Sequence, residues 1–164
     1  MATRRQGHRV IRRPGVPRPP AGLAQVDVRQ TEDFKQWVAR WGQWNISTVP
    51  EYMCFRWLEK QGYVAGLDFD YLAYEAGMGR RIGSQQVDFL IGGWLVWAVQ
   101  GVFFHWVVDP GQVERDLMSR AILESRGYVV VWLLDLDIVA HVDSTCRKAI
   151  LGIEEPGAQT GKPS

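Results

Sequence analysis

Apolar and polar positions change period several times along the chain, and each change marks an element. Between Thr31 and Gly42, Phe34, Trp37, Val38 and Trp41 recur at helical spacing. Thr31 is positioned to cap that helix, Glu32 and Asp33 suit its positive start, and Gly42 ends it. A second helix is expected from Thr48 to Gly62, with Pro50 in its first turn and an apolar face of Tyr52, Phe55, Trp57 and Leu58. Glu51 stands three residues after Thr48, the spacing of a capping box. From Tyr63 to Tyr74 the period drops to two. Leu67, Phe69, Tyr71 and Ala73 fall on one side and Asp68, Asp70, Leu72 and Tyr74 on the other, which predicts a strand half in the core. A glycine-bearing loop, Gly77–Ser84, then carries Arg80 and Arg81.

The chain is organised around Gln86–His105. Two β-prone runs meet there at Gly92-Gly93, a hairpin signal. A two-residue turn pairs Leu90 with Leu95 and Asp88 with Trp97. Asp88 then shares a face with Trp97 and Val99, and Gln100 takes the other face. Gly101 suits a bulge that re-aims Gln100 or His105. Asp88 is an acid inside an apolar run, and an unpaired buried carboxylate is costly, so it requires a reason. After Asp109-Pro110-Gly111 a helix is expected from about Gln112 to Arg126, stopped by Gly127. Val113, Leu117, Ala121 and Ile122 are expected to face inward, with Arg115, Asp116 and Arg120 near the polar side. Tyr128–Leu134 is a continuous apolar run, as in a strand covered on both faces. The helix–Gly–strand step is an α/β unit. Asp143–Leu151 predicts a last helix.

Composition sharpens this picture. With 164 residues the chain is long enough for one core. The expected organisation is a disordered basic arm over residues 1–28, a single domain over 29–152 and a flexible tail over 153–164. The arm holds Arg4, Arg5, Arg9, Arg12, Arg13 and Arg18 without an acid before residue 20, and it is read either as a phosphate-contacting arm or as a solubilising tail. Net charge is +1, so no global field announces a nucleic-acid partner. No apolar h-region follows the arginines and no apolar run is long enough to span a bilayer. Cys54 and Cys146 lack CxxC partners, which excludes a Cys-based zinc site and suits a reducing, cytoplasmic setting. Trp94 and Trp97 are open to two readings, covering a partner or burial within one subunit. Oligomeric state stays open, a dimer included.

The order helix, strand, hairpin, helix, strand, with a lone acid in mid-hairpin, resembles the restriction-endonuclease-like, PD-(D/E)XK superfamily of metal-dependent nucleases. The nearest likeness is to very-short-patch-repair-type endonucleases and related phage or prophage nucleases. The residues that carry it are Val87-Asp88-Phe89, Val99-Gln100-Gly101, Phe103-Phe104-His105, Val113-Glu114-Arg115-Asp116 and Gly127–Trp132. It covers about Pro50 to Ile138. The resemblance implies an α/β core in the order α-β-β-β-α-β, a central mixed sheet flanked by helices, and a Mg²⁺- or Mn²⁺-dependent endonuclease acting on DNA. It assigns metal ligation to Asp88 and the Val99 carbonyl, and catalytic roles to Asp88, Gln100, His105, Glu51 and Asp116. A bacterial or phage-infected cytoplasm, or a virion, is the implied setting. Arg80, Arg81, Arg115 and Arg120 would contact the DNA backbone, and Phe103 and Phe104 would wedge into a base step.

The chemistry agrees in outline. A hard cation polarises the phosphate and lowers the pKa of an attacking water, and Mg²⁺ needs only one or two carboxylates because it keeps several waters. The chain departs from the family pattern where the (D/E)XK acid and lysine would stand, since its second strand carries Ala98 and Gln100. A Gln amide is no base near neutral pH, although it donates to phosphate or ligates through its oxygen. Bland readings stand beside several assignments: Glu51 as a cap, His105 as a core histidine, Asp116 as a solvated acid paired with Arg120, and the two phenylalanines as core. The alternative for the whole chain is a catalytically degenerate DNA-binding or phage structural module.

Overall fold

The computed structural model describes residues 27–41, 48–71, 82, 85, 87–102 and 110–164. The arginine arm up to residue 26, Gly42, Ala73, Arg80, Arg81, Phe103, Phe104 and His105 lie outside the described residues. Among those described, the chain is mixed α/β: four α-helices and a four-stranded mixed sheet.

Helix α1 (Glu32–Trp41) starts where Thr31 Oγ1 accepts from the Phe34 N–H, and it buries Phe34, Trp37 and Val38. Helix α2 (Val49–Lys60) opens on the expected capping box. The Glu51 N–H donates to Thr48 Oγ1 at 3.4 Å, and the Thr48 N–H donates to Glu51 Oε2 at 3.1 Å. Its buried side includes Cys54, Phe55, Trp57 and Leu58, and each such large apolar side chain contributes about 1.5–3 kcal/mol by leaving water. The strand expected from Tyr63 is shorter at its start. β1 runs Phe69–Tyr71, and Val64–Asp68 forms a turn in which Gly66 takes φ +80° and the Asp68 carboxylate accepts the Val64 N–H. Leu67, expected to face inward, therefore stands 80% exposed at the tip of that turn.

β2 (Phe89–Ile91) and β3 (Leu95–Gln100) form the expected hairpin, one residue out of the expected register. Ile91 pairs with Leu95, Leu90 with Val96 and Phe89 with Trp97. Gly92 and Gly93 both take positive φ, and the Trp94 N–H closes the turn on the Ile91 carbonyl, leaving Trp94 as an extra residue outside the ladder. One extra residue exchanges the two faces, so Phe89 rather than Asp88 lies opposite Trp97.

Helix α3 (Pro110–Ser125) then leads into β4 (Val129–Leu134), which pairs parallel to β3, giving the sheet order β1-β2-β3-β4. One face of the sheet presents Phe69, Tyr71, Phe89, Ile91, Leu95, Trp97, Val131 and Leu133 to α1, α2 and helix α4 (Asp135–Ala149). The other presents Leu90, Val96, Val130 and Trp132 to α3 through Leu123. α4 (Asp135–Ala149) begins directly after β4, eight residues earlier than the expected Asp143, and is broken at His141 by a non-helical φ of −147°. Cys146 on α4 meets Cys54 on α2 with the sulfurs 3.8 Å apart and both thiols free, at the centre of the core.

Two further expectations are corrected. α3 does not turn Val113, Leu117, Ala121 and Ile122 to the sheet as a buried stripe. Leu117 is 42% exposed, whereas Asp116, Ser119, Arg120 and Leu123 line the space above the strands. The polar members are tolerated there because they have partners: Ser119 donates to Gln85, and Arg120 pairs with Glu124 and Glu154. The stretch after residue 152, expected as a loose tail, packs back on β4. Glu154 accepts the Trp132 N–H on the strand's outer edge at 2.8 Å, and Ala158 is buried in the 3-10 turn Ala158–Thr160. Among the described residues no helix is long and apolar enough to cross a membrane.

Candidate functional site

Strand directions gather the candidate residues at one end of the sheet. β1, β3 and β4 finish there and β2 begins there. Tyr71, the last residue of β1, donates its hydroxyl to Glu51 Oε2, which ties the first turn of α2 to the same end. α4 starts there directly after β4. The starts of α2 and α4 thus lie at this end, and the partial positive charge of a helix start favours anions.

Asp88 occupies the position just before β2. Its Oδ2 accepts the Val99 N–H at 2.6 Å, where the β2 backbone no longer runs beside β3 to supply an acceptor. The structure therefore does bring Asp88 to Val99, but through the amide N–H. In a strand the N–H and C=O of one residue point to the same neighbour, so the Val99 carbonyl is directed to the same side as Asp88. Burial pushes the Asp88 carboxyl well above the usual carboxylate range. The negative charge of Glu51 adds to this, the Val99 N–H opposes it, and Asp116 adds a further upward push. Glu51 is itself raised, first by burial, against the pull of its hydrogen bonds from Tyr71 and Thr48. No Lys or Arg among the described residues pairs with Asp88 or Glu51.

Gln100, the last residue of β3, is 6% exposed, and its Oε1 accepts no hydrogen bond. It lines a small solvent-open cleft of about 40 Å³ between β3, β4 and α3, together with Ala98, Trp132, Asp116, Ser119 and Arg120. Asp116 Oδ1 accepts from Gln112 Nε2 at 2.7 Å. Arg115 donates to Gln112 Oε1 at 2.7 Å on the outer side of α3. The Arg120 guanidinium lies 5.6 Å from the Trp132 ring centre and is paired with two glutamates, so its charge is matched within the chain.

The site thus unites Asp88, Val99, Gln100, Glu51 and Asp116 at one end of the sheet, while His105, Phe103, Phe104, Arg80 and Arg81 lie outside the described residues. Two further residues belong to it. Tyr71 holds Glu51, and Asp135 accepts the Val102 N–H at 3.1 Å and the Leu136 N–H at 2.8 Å, clamping the end of β3 to the start of α4. An acid directly after the apolar run of β4 was the available signal for Asp135; nothing in the alternation singled out Tyr71.

Among the described residues no three His, Cys, Asp or Glu side chains group closely enough to hold a metal ion. On the β2 side of Val99 the donors are the Asp88 carboxylate and the main-chain carbonyl directed the same way, whereas Gln100 lines the cleft against α3, whose lining does not include Asp88. Both donors are oxygens, and Mg²⁺ accepts few protein ligands while keeping its waters, so the residue types fit such an ion. Comparison with protein-family models, with curated proteins and with solved structures finds no match for this chain.

Proposed function

We propose that the chain is a Mg²⁺- or Mn²⁺-dependent endonuclease that hydrolyses phosphodiester bonds in DNA, built on a restriction-endonuclease-like core. The observation that carries this reading is the acid at the sheet end. Burial and the charge of Glu51 both push the Asp88 pKa up, and neither acid is paired with a Lys or Arg among the described residues. The order α2–β1–β2–β3–α3–β4 supports the core assignment. A divalent cation held by Asp88 and the Val99 carbonyl would neutralise the acids, polarise the phosphate and activate a water. Gln100 orients the phosphate or water through its amide, and Glu51, fixed by Thr48 and Tyr71, maintains the negative field that retains the cation. Proton transfer to the leaving group is assigned to His105, and backbone contacts to Arg80, Arg81 and Arg115.

One observation favours a second reading, a catalytically degenerate DNA-binding or phage structural module. Asp88 already has a structural task, since its carboxylate satisfies the Val99 N–H beyond the end of the ladder. The test is to incubate the protein with supercoiled, mismatched and four-way-junction DNA and either cation, beside Asp88→Asn, which keeps an acceptor for Val99. Cutting that disappears in a folded Asp88→Asn protein supports the nuclease. Binding without cutting, unchanged by the substitution, supports the module. An absence of binding to every DNA overturns both.

A further inference from the structure

The acid site uses neither of the chain's two cysteines. Cys54 stands on α2 and Cys146 on α4, 92 positions apart in sequence. Both are free and fully buried, and their sulfurs lie 3.8 Å apart in the core where the two helices pack together. Among the described residues no His, Asp, Glu or further Cys joins them in a metal-binding group. A disulfide holds its sulfurs at about 2.0 Å, so closing this pair requires an approach of ~1.8 Å, the scale of rotation about two Cα–Cβ bonds and not of a helix displacement. α4 supplies a path to the buried pair. The helix is broken at the exposed His141, and Gly152 just beyond its end takes φ +76°. Residues 142–149, which carry Cys146, thus form a unit bracketed by two breaks, and such units open locally without global unfolding.

We propose that Cys54 and Cys146 are a redox pair built into the core, free in the reduced chain and closing to one intramolecular disulfide when hydrogen peroxide reaches them. In the closed unit Cys54 stays a thiol, because its hydrogen bond with Cys146 and then its burial hold its pKa well above the usual thiol range. Reaction therefore starts from the opened unit, at Cys146. Its thiolate attacks one peroxide oxygen: an S–O bond forms, the O–O bond breaks and hydroxide leaves. When the unit closes, the Cys54 sulfur attacks the Cys146 sulfenic sulfur. An S–S bond forms, the S–O bond breaks, and the oxygen departs as water with the Cys54 proton. Two thiols lose two electrons, and one peroxide becomes two waters. A dithiol reductant reverses the change by thiol–disulfide exchange. The bond ties α2, whose first turn holds Glu51, to α4. It does so whether or not the acid site cuts DNA.

The experiment exposes the folded full chain to hydrogen peroxide, beside Cys54→Ala and Cys146→Ala, and reads thiol content, peptide masses and Tm. The expected wild-type result is a loss of two hydrogens, a peptide pair joined through Cys54 and Cys146, and a Tm higher by about 10 °C, because the bond closes a long loop in the unfolded chain. A dithiol restores all three readings. Neither variant gains in Tm, and both report any effect of methionine oxidation. Each variant removes a sulfur from a packed core, so the wild-type masses decide the matter should either fail to fold. Three outcomes overturn the proposal: thiols that stay unreacted while the chain is folded, as ordinary core packing would leave them; oxidation to sulfinic acid or to disulfides between chains; or an intramolecular disulfide that fails to raise the Tm. The readings involve no DNA and no cation, so failure of this inference is distinct from failure of the functional reading.

Discussion

Replacing Asp88 by Asn separates the charge of this side chain from its shape. The Asn carbonyl oxygen takes over the 2.6 Å contact with the Val99 N–H, exchanging a charge-assisted bond for a neutral one at a loss of about 1 kcal/mol. Against this, a carboxylate that burial and the charge of Glu51 both disfavour is removed, which recovers about 2 kcal/mol at neutral pH. The expected net effect is a stabilisation of about 1 kcal/mol, a Tm rise of about 2–4 °C for a chain of this size. The sign with pH follows from the raised folded value. The stability that Asp88 contributes is complete below the usual carboxylate range and is lost as pH rises through the folded pKa, so the advantage of Asn grows as pH rises from that range to the folded pKa and levels off above it. Thermal denaturation followed by circular dichroism over that range measures it, without and with Mg²⁺. The cation is expected to raise the Tm of wild type only. An Asp88→Asn protein less stable than wild type at neutral pH, or one stabilised equally by Mg²⁺, refutes the argument that Asp88 is a strained acid awaiting a cation.

Further outcomes follow from neighbouring contacts. Gln100→Met fills the same space without the orphaned Oε1 and is expected to stabilise by about 1–2 kcal/mol in urea unfolding while lowering DNA cutting. Glu154→Ala removes one of the two carboxylates paired with Arg120 and the acceptor of the Trp132 N–H, and is expected to destabilise by about 1–3 kcal/mol, with Glu154→Gln recovering part of the loss. Thr48→Ala breaks the capping box at the start of α2 and lowers stability by about 1 kcal/mol, a Tm drop of about 2–4 °C by scanning calorimetry.

What the sequence made legible was what local chemistry dictates. Thr48 and Glu51 announced their box because both partners lie within one turn, and Gly92-Gly93 announced the hairpin because positive φ at both positions is a glycine trait. The register was not legible, because Trp94 looks like the first residue of β3 and leaves the ladder only in three dimensions. The inward side of α3 was missed for a related reason. Arg120 and Ser119 are ordinary surface residues until Glu154, far along the chain, and Gln85 supply partners that permit their burial. Asp88 stood out as an anomaly among apolar neighbours, but its amide partner depended on where β2 stops. Whether Arg80, Arg81 and His105 join the site is a matter of residues outside those described.

The sheet is assembled from contacts of two very different ranges. The β2–β3 hairpin, including the bond between Asp88 and Val99 eleven positions apart, closes through a tight turn, whereas β4 joins β3 only after the whole α3 crossover has been traversed. Short-range contacts form first because they require little loop closure. On refolding, the acidic end of the hairpin therefore takes shape before the cleft beside it has a second wall.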